Sequence, residues 1–297
     1  MRLVTAALFL ALAAAPAESW IAVVDDLGVT VFVGSSPRRV VSLSPGATEI
    51  LYALGLGNRI VAACEPADYP AAARRLPRVG DFANPNLEVI LSHRPDFIVA
   101  TGGLQRELVL KLRRGPVPMV MLYPQGMEGV FGNVRLIGKA FDRKGAAAAL
   151  EKRMRGRVAE VTAGLPPEGK RPRVYFEVWA DPPMAIGDSS YAGDLVRLAG
   201  GSNITRGVIG DYPRLSMEFI ISADPEVVIL SHCDDTAGAA AGLGRRPGWA
   251  GVSAVKSGRV WGDLDMDLLL RPGPRLPEGL AALAERFRRT PRAGKAP

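Results

Sequence analysis

Short apolar runs punctuated by Pro and Gly alternate with segments of helical spacing along most of the chain. Ile21–Val24 and Val29–Val33 flank Asp25-Asp26-Leu27-Gly28, which predicts a β-hairpin closed by an Asp/Gly turn. Val40–Leu43 predicts a strand that Ser44-Pro45-Gly46 breaks, and Ala47–Leu54 carries helical spacing up to stop signals at Gly55 and Gly57. The same reading gives strand Ile60–Ala63, helix Asn86–Ser92, strand Phe97–Ala100, helix Leu104–Arg114 and strand Met119–Leu122. Strands alternating with helices predict an α/β unit built on a largely parallel sheet.

From Met127 to Ala163 the strand signal stops. Val130, Val134, Ile137 and Phe141 share one helical face, and Leu150, Met154, Val158 and Val161 continue at helical spacing. Lys144-Gly145 is a point at which this segment divides into two helices. The alternation then restarts with strand Val174–Val178, helices Ser190–Leu198 and Met217–Ser222, strands Val227–Leu230 and Arg259–Trp261, and a last helix over Leu276–Phe287. The predicted organisation is an α/β lobe over 18–125, a helical connector over 126–164, and an α/β lobe with a basic tail over 165–297. A weak internal repeat supports two lobes of similar build. Asn86–Val99 resembles Ser216–Ile229, with Glu88 matching Glu218, and Leu51–Ile60 resembles Leu195–Ile204.

The first residues change the picture of where the chain works. Met1-Arg2 is followed by an unbroken apolar run from Leu3 to Ala15 and then by the small residues Ala15-Pro16-Ala17. That is the pattern of a secretory signal over 1–17, with cleavage after Ala17. The run is too short for a span, which needs roughly 20 apolar residues. No Cys lies near the cleavage point to take a lipid anchor. The expectation is a soluble, monomeric periplasmic protein. Cys64 and Cys233, its two cysteines, read as isolated thiols in different lobes rather than a disulfide framework.

Across 297 residues the formal charge is +7. Much of the excess sits in Arg286, Arg288, Arg289, Arg292 and Lys295, which reads as a frayed basic tail. Nothing interleaves aromatic with basic residues, so no nucleic-acid partner is expected.

Catalytic patterns are absent: there is no nucleophile elbow, no Cys-x-x-Cys, no His-Glu-x-x-His and no phosphate loop. Gly55-Leu56-Gly57 reads as a helix end rather than a dinucleotide fingerprint. His93 reads as a solvated helix terminus. His232, beside Cys233 and Asp234-Asp235, sits where α/β proteins place ligands; it is either a metal-binding cluster or a polar loop. The residues that follow strands say more. Ser44, Pro45, Glu65, Phe82, Trp179, Met184, Tyr212, Asp267 and Arg271 would face one cleft in a two-lobed protein. Apolar and aromatic walls with a few polar groups suit a large planar ligand.

Val40-Val-Ser-Leu-Ser-Pro-Gly-Ala-Thr-Glu-Ile50, Asp68-Tyr-Pro70, Asn86-Leu-Glu88 and Arg94-Pro-Asp96 resemble the N-terminal lobe of class III periplasmic binding proteins, receptors for vitamin B12, haem and ferric siderophores. Asp181-Pro-Pro183, Gly200-Gly-Ser-Asn203 and Arg271-Pro-Gly-Pro-Arg275 resemble the C-terminal lobe of the cobalamin-binding branch. The resemblance implies two Rossmann-like lobes joined by a long helical connector, a ligand cleft between them, no catalysis, and no cofactor or metal of the protein's own. It implies transport of a cobalt corrinoid to an ABC importer, a permease with its ATPase, on which Glu88 and Glu218 dock. It also implies that Phe82, Met184, Tyr212, Asp267 and Arg271 bind the ligand. Met184 stands where the branch has an aromatic residue, Pro66 does likewise, and Ala199 and Ala282 occupy the places of a disulfide known in one branch. Tyr69, Tyr212 and His232 keep open an iron chelate, whether ferric siderophore or haem. A metal-dependent enzyme or a sensor on the same fold is the reading from another class.

Overall fold

The computed structural model describes residues 20–34, 36–102, 105–233 and 236–289. The secretory segment, Leu104, Asp234-Asp235, Arg292 and Lys295 lie outside the described residues.

Two parallel sheets form the frame. The first has the order β4–β3–β5–β6, from β3 (Val40–Ser42), β4 (Ile60–Ala63), β5 (Phe97–Thr101) and β6 (Met119–Leu122), all parallel. The second runs β11–β10–β7–β8, from β7 (Arg173–Ala180), β8 (Pro183–Ala185), β10 (Val227–Leu230) and β11 (Val260–Trp261), with β9 (Ser202–Asn203) also paired to β7. Here β8 alone is antiparallel, folding back on β7 through the Asp181-Pro182 turn. Every residue of β5, β6 and β10 is buried. Unbroken apolar strands are what a parallel sheet covered on both faces requires. Each fully buried Phe, Ile or Val among them contributes about 1.5–3 kcal/mol.

Between the sheets run α4 (Gly126–Ala140) and α5 (Lys144–Thr162). The segment does divide, at Phe141–Arg143, with Asp142 in the left-handed region at φ 53°. A Cβ on Gly138 would lie 2.3 Å from the Cβ of Ala147, so the missing side chain lets the two helices cross closely. The largest apolar cluster runs through Val99 of one sheet, Ile137 and Met154 of the connecting helices, and Ile229 of the other. One continuous core therefore passes through both lobes.

The hairpin β1 (Ile21–Val24) and β2 (Thr30–Val33) is fixed by a residue expected only to turn it. The Asp25 carboxylate is buried, accepts from the N–H groups of Leu27 and Val29 at 3.0 Å and of Met121 at 3.1 Å, and pairs with Arg113. It ties the turn to β6. Helix α1 (Pro45–Ala53) starts two residues before the predicted helix, because Pro45 at its first position needs no N–H partner and already holds a helical φ. Gly55 at φ 74° ends it.

The repeat is structural. In both lobes a short helix, α2 (Leu87–Ser92) or α7 (Met217–Ala223), is N-capped by the matched Asn86 or Ser216, a contribution of about 1 kcal/mol. Both are followed by a non-glycine residue at positive φ, Arg94 at 45° and Asp224 at 42°. Arg39 donates to the carbonyls of His93 and Arg94, and Arg173 donates to those of Ala223 and Asp224. Asp96 and Glu226 each accept from the backbone at the start of the neighbouring strand. The second matched pair falls on the ends of α1 and α6 (Tyr191–Leu198), where Gly55 and, one position later in the match, Gly200 take φ of 74° and 97° before the chain enters its sheet.

Other elements include α3 (Arg106–Leu112), α8 (Thr236–Gly244), α9 (Ser253–Lys256), α10 (Met266–Leu270) and α11 (Leu276–Arg289). The run Thr236–Gly244 carries Gly at three positions, which conceals a helix from periodicity. Arg286, Arg288 and Arg289, expected in a frayed tail, form the last turn of α11, and Arg286 pairs with Asp263 at 3.2 Å. Among the described residues no helix is long and apolar enough to cross a membrane.

Candidate functional site

The strand ends of both sheets open onto one cleft of about 720 Å³ between the lobes. From the N-terminal side, Ser44, Pro45 and Gly46 reach it at the start of α1, and Phe82, Thr101 and Tyr123 follow from successive loops. From the other side come Val178, Met184, Tyr191, Tyr212, Asp267 and Arg271. The volume lies within the roughly 300–1,000 Å³ of small-molecule and cofactor sites.

Of the residues expected there, Ser44, Pro45, Phe82, Met184, Tyr212, Asp267 and Arg271 line the cleft. Trp179 and Glu65 do not. Val178 lines the cleft, but the register of β7 against β8 shifts between Glu177 and Trp179, and Trp179 falls outside the lining. There the indole is 59% exposed and donates to the Asp181 carbonyl at 2.8 Å. Glu65 is exposed, its backbone N–H on the Gly80 carbonyl at 2.9 Å, while adjacent Pro66 takes the place on the cleft wall.

Polar contacts cross between the lobes at the cleft and beside it. Arg271 donates to Asp68 at 2.6 Å and meets Asp267 at 2.6 Å. That hydrogen bond holds the Asp68 carboxyl below its ordinary range. The Tyr123 hydroxyl donates to Asp211, whose other oxygen accepts from Ser189 at 3.1 Å. Desolvation first, and Asp211 second, push the Tyr123 phenol up to about 12. Burial also raises Tyr191 and Tyr212 above 10, so the cleft presents neutral phenols. Behind the cleft, Arg275 holds Glu49 of α1 through two hydrogen bonds, at 2.6 and 3.1 Å, with its guanidinium 3.8 Å from the Tyr69 ring centre.

Gln105 is a positioning residue absent from the sequence reading. Fully buried, it donates to the carbonyls of Leu43 at 2.6 Å and Phe82 at 2.7 Å, fixing the Phe82 loop against β3. Tyr123 carried a usable signal, since it directly follows a strand; Asp211 carried none, because no strand precedes it.

His232 is turned away from a ligand role in the cleft. Its Nε2 lies 2.9 Å from the buried Glu177 carboxylate. His93 caps α2 and offers its carbonyl to Arg39. Cys64 and Cys233 form no disulfide. Among the described residues, no group of three or more His, Cys, Asp or Glu is arranged to hold a metal ion.

The acids expected to dock on an importer sit alike. Glu88 and Glu218 are exposed second residues of α2 and α7, in the first turn where a helix favours negative charge. The Glu218 carboxyl is lowered by its own backbone N–H and by Ser216.

A profile described as periplasmic binding protein matches residues 40–263. The chain belongs to the periplasmic binding protein family. A curated relative, an uncharacterized ABC transporter substrate-binding lipoprotein, YvrC, of Bacillus subtilis, is 28% identical over 268 residues, which cover 88% of this chain and 83% of that protein. The crystal structure of the periplasmic vitamin B12 binding protein BtuF of Vibrio cholerae is 27% identical with a TM-score of 0.69, over 86% of this chain and 99% of that one. The apo periplasmic heme-binding protein RhuT of Roseiflexus sp. RS-1 is 26% identical with a TM-score of 0.72, over 86% and 98%. As a member of this family the chain is a substrate-binding protein of the ABC-transporter type and not an enzyme. The two α/β lobes, the helices joining them and the cleft between them are the family's fold.

Proposed function

We propose that the protein captures a corrinoid in the interlobe cleft and delivers it, as a periplasmic monomer, to the permease of an ABC importer. The charge of the cleft carries the choice of ligand. Its described lining holds two carboxylates, Asp211 and Asp267, against one guanidinium, Arg271, which Asp68 and Asp267 already share. A haem would bring two propionates to a wall without a spare cation. A corrin ring edged with neutral amides meets carboxylate and hydroxyl partners and broad apolar surface instead. BtuF, a relative that binds vitamin B12, supports the reading. RhuT and its haem keep the iron alternative in the same fold.

The continuous core between the lobes favours a nearly preformed cleft with small hinge motion. Calorimetric titration with cyanocobalamin, haem and a ferric hydroxamate tests the choice. One-to-one binding of cyanocobalamin in the nanomolar range, about −12 kcal/mol, is expected. Tight binding of haem or the hydroxamate with none of cyanocobalamin would refute the corrinoid and leave the receptor role standing.

For delivery, Glu88 and Glu218 are the docking acids. Their matched positions on the two lobes suit a two-fold partner with basic pockets, and surface charges of this kind speed and orient encounter.

A further inference from the structure

Away from the cleft lining, the C-terminal lobe carries a cluster that ligand capture does not use. Glu177 of β7 is a fully buried carboxylate. Arg246 donates to both of its oxygens at 2.6 and 2.9 Å, and the Tyr175 hydroxyl donates to Oε2 at 2.9 Å. These donors fix its orientation. Its Oε1 also lies 2.9 Å from Nε2 of His232. An ionised carboxylate only accepts, so Nε2 carries the hydrogen, and in the neutral imidazole Nδ1 then keeps the lone pair. Nδ1 lies 3.6 Å from the Sγ of Cys233. Thiol, base and orienting carboxylate therefore stand in the order a nucleophilic site needs. The His232 side chain is 30% exposed and Cys233 is half-buried, so a small reagent can reach the pair.

The structure assigns to Cys233 the role of an activated thiol, a modification site for small disulfides beside the ligand cleft. The Cys233 sulfur attacks one sulfur of the disulfide, and its proton passes to Nδ1 of His232. The new S–S bond forms as the old one breaks, and the second half leaves as a thiolate that regains a proton from the imidazolium. The product is a mixed disulfide, and the small disulfide is the only oxidant. Because Ser231, two residues earlier, lines the cleft, the adduct would sit close to the ligand's entrance.

The native chain is treated with an aromatic disulfide reagent and with oxidised glutathione, and the adduct is located by mass spectrometry. Cys64 is an internal control, since burial pushes its thiol up to about 12. One thiol per chain, Cys233, is expected to react at neutral pH about tenfold faster than free cysteine. His232→Asn should lower the rate by a similar factor and return the pH profile to that of free cysteine; Cys233→Ser should abolish reaction. A wild-type rate no faster than free cysteine, or a rate that folded His232→Asn leaves unchanged, overturns the assignment. If that variant does not fold, the wild-type rate decides alone.

Discussion

Removing the carboxylate of Glu49 would separate the ion pair that joins α1 to the segment before α11. Glu49 is 3% exposed and Arg275 grips both of its oxygens. Truncation to Ala leaves the guanidinium without its partner in a protein interior, a loss of about 3–5 kcal/mol. At two to four degrees per kcal/mol, the melting temperature should fall by roughly 6–20 °C. Glu49→Gln is the contrasting variant, because it keeps the shape and one acceptor while removing the charge. Burial raises the Glu49 carboxyl above 4.5 even though Arg275 pulls it down. The native chain thus binds more protons than the unfolded chain between 4.5 and that raised value. The proton-linked part of Glu49's contribution, separate from the cost of leaving Arg275 unpartnered, is full below 4.5 and declines as pH rises through the folded value. Relative to Glu49→Gln, the wild type should therefore lose stability as pH rises across that window. Denaturant melts of both variants over a pH series measure these quantities. A loss under about 1 kcal/mol in Glu49→Ala, the scale of an exposed pair, would refute the bracing role.

Two further outcomes follow from the geometry. Gly46→Ala would put a Cβ 2.7 Å from the Pro272 carbonyl oxygen across the lobe boundary; a destabilisation of about 1–3 kcal/mol is expected, and an unchanged denaturation midpoint would show that the lobes yield there freely. Glu88→Ala combined with Glu218→Ala should abolish uptake in cells while calorimetry shows unchanged ligand affinity; normal transport by the double variant would exclude both as docking acids.

The apolar runs by themselves determined most of the frame. Val40–Leu43, Phe97–Ala100, Met119–Leu122 and Val227–Leu230 became buried parallel strands, because a strand covered on both faces leaves few polar positions, here only Ser42, to interrupt its signal. Residues that directly follow those strands reached the cleft for the same reason, as Ser44 and Pro45 did. Elements of two to five residues, β8, β9, α9 and α10, were illegible because they are too short to show a period. The partners of charged groups were likewise hidden. Arg271 meets Asp68 from 203 positions away, Arg275 meets Glu49 from 226, and Tyr123 meets Asp211 from 88. Local propensity fixes which backbone a segment prefers, but those encounters depend on how two finished lobes pack across one core. The place of Trp179 outside the cleft belongs with them, because the register shift of β7 against β8 between Glu177 and Trp179 interrupts the alternation that a strand pattern assumes.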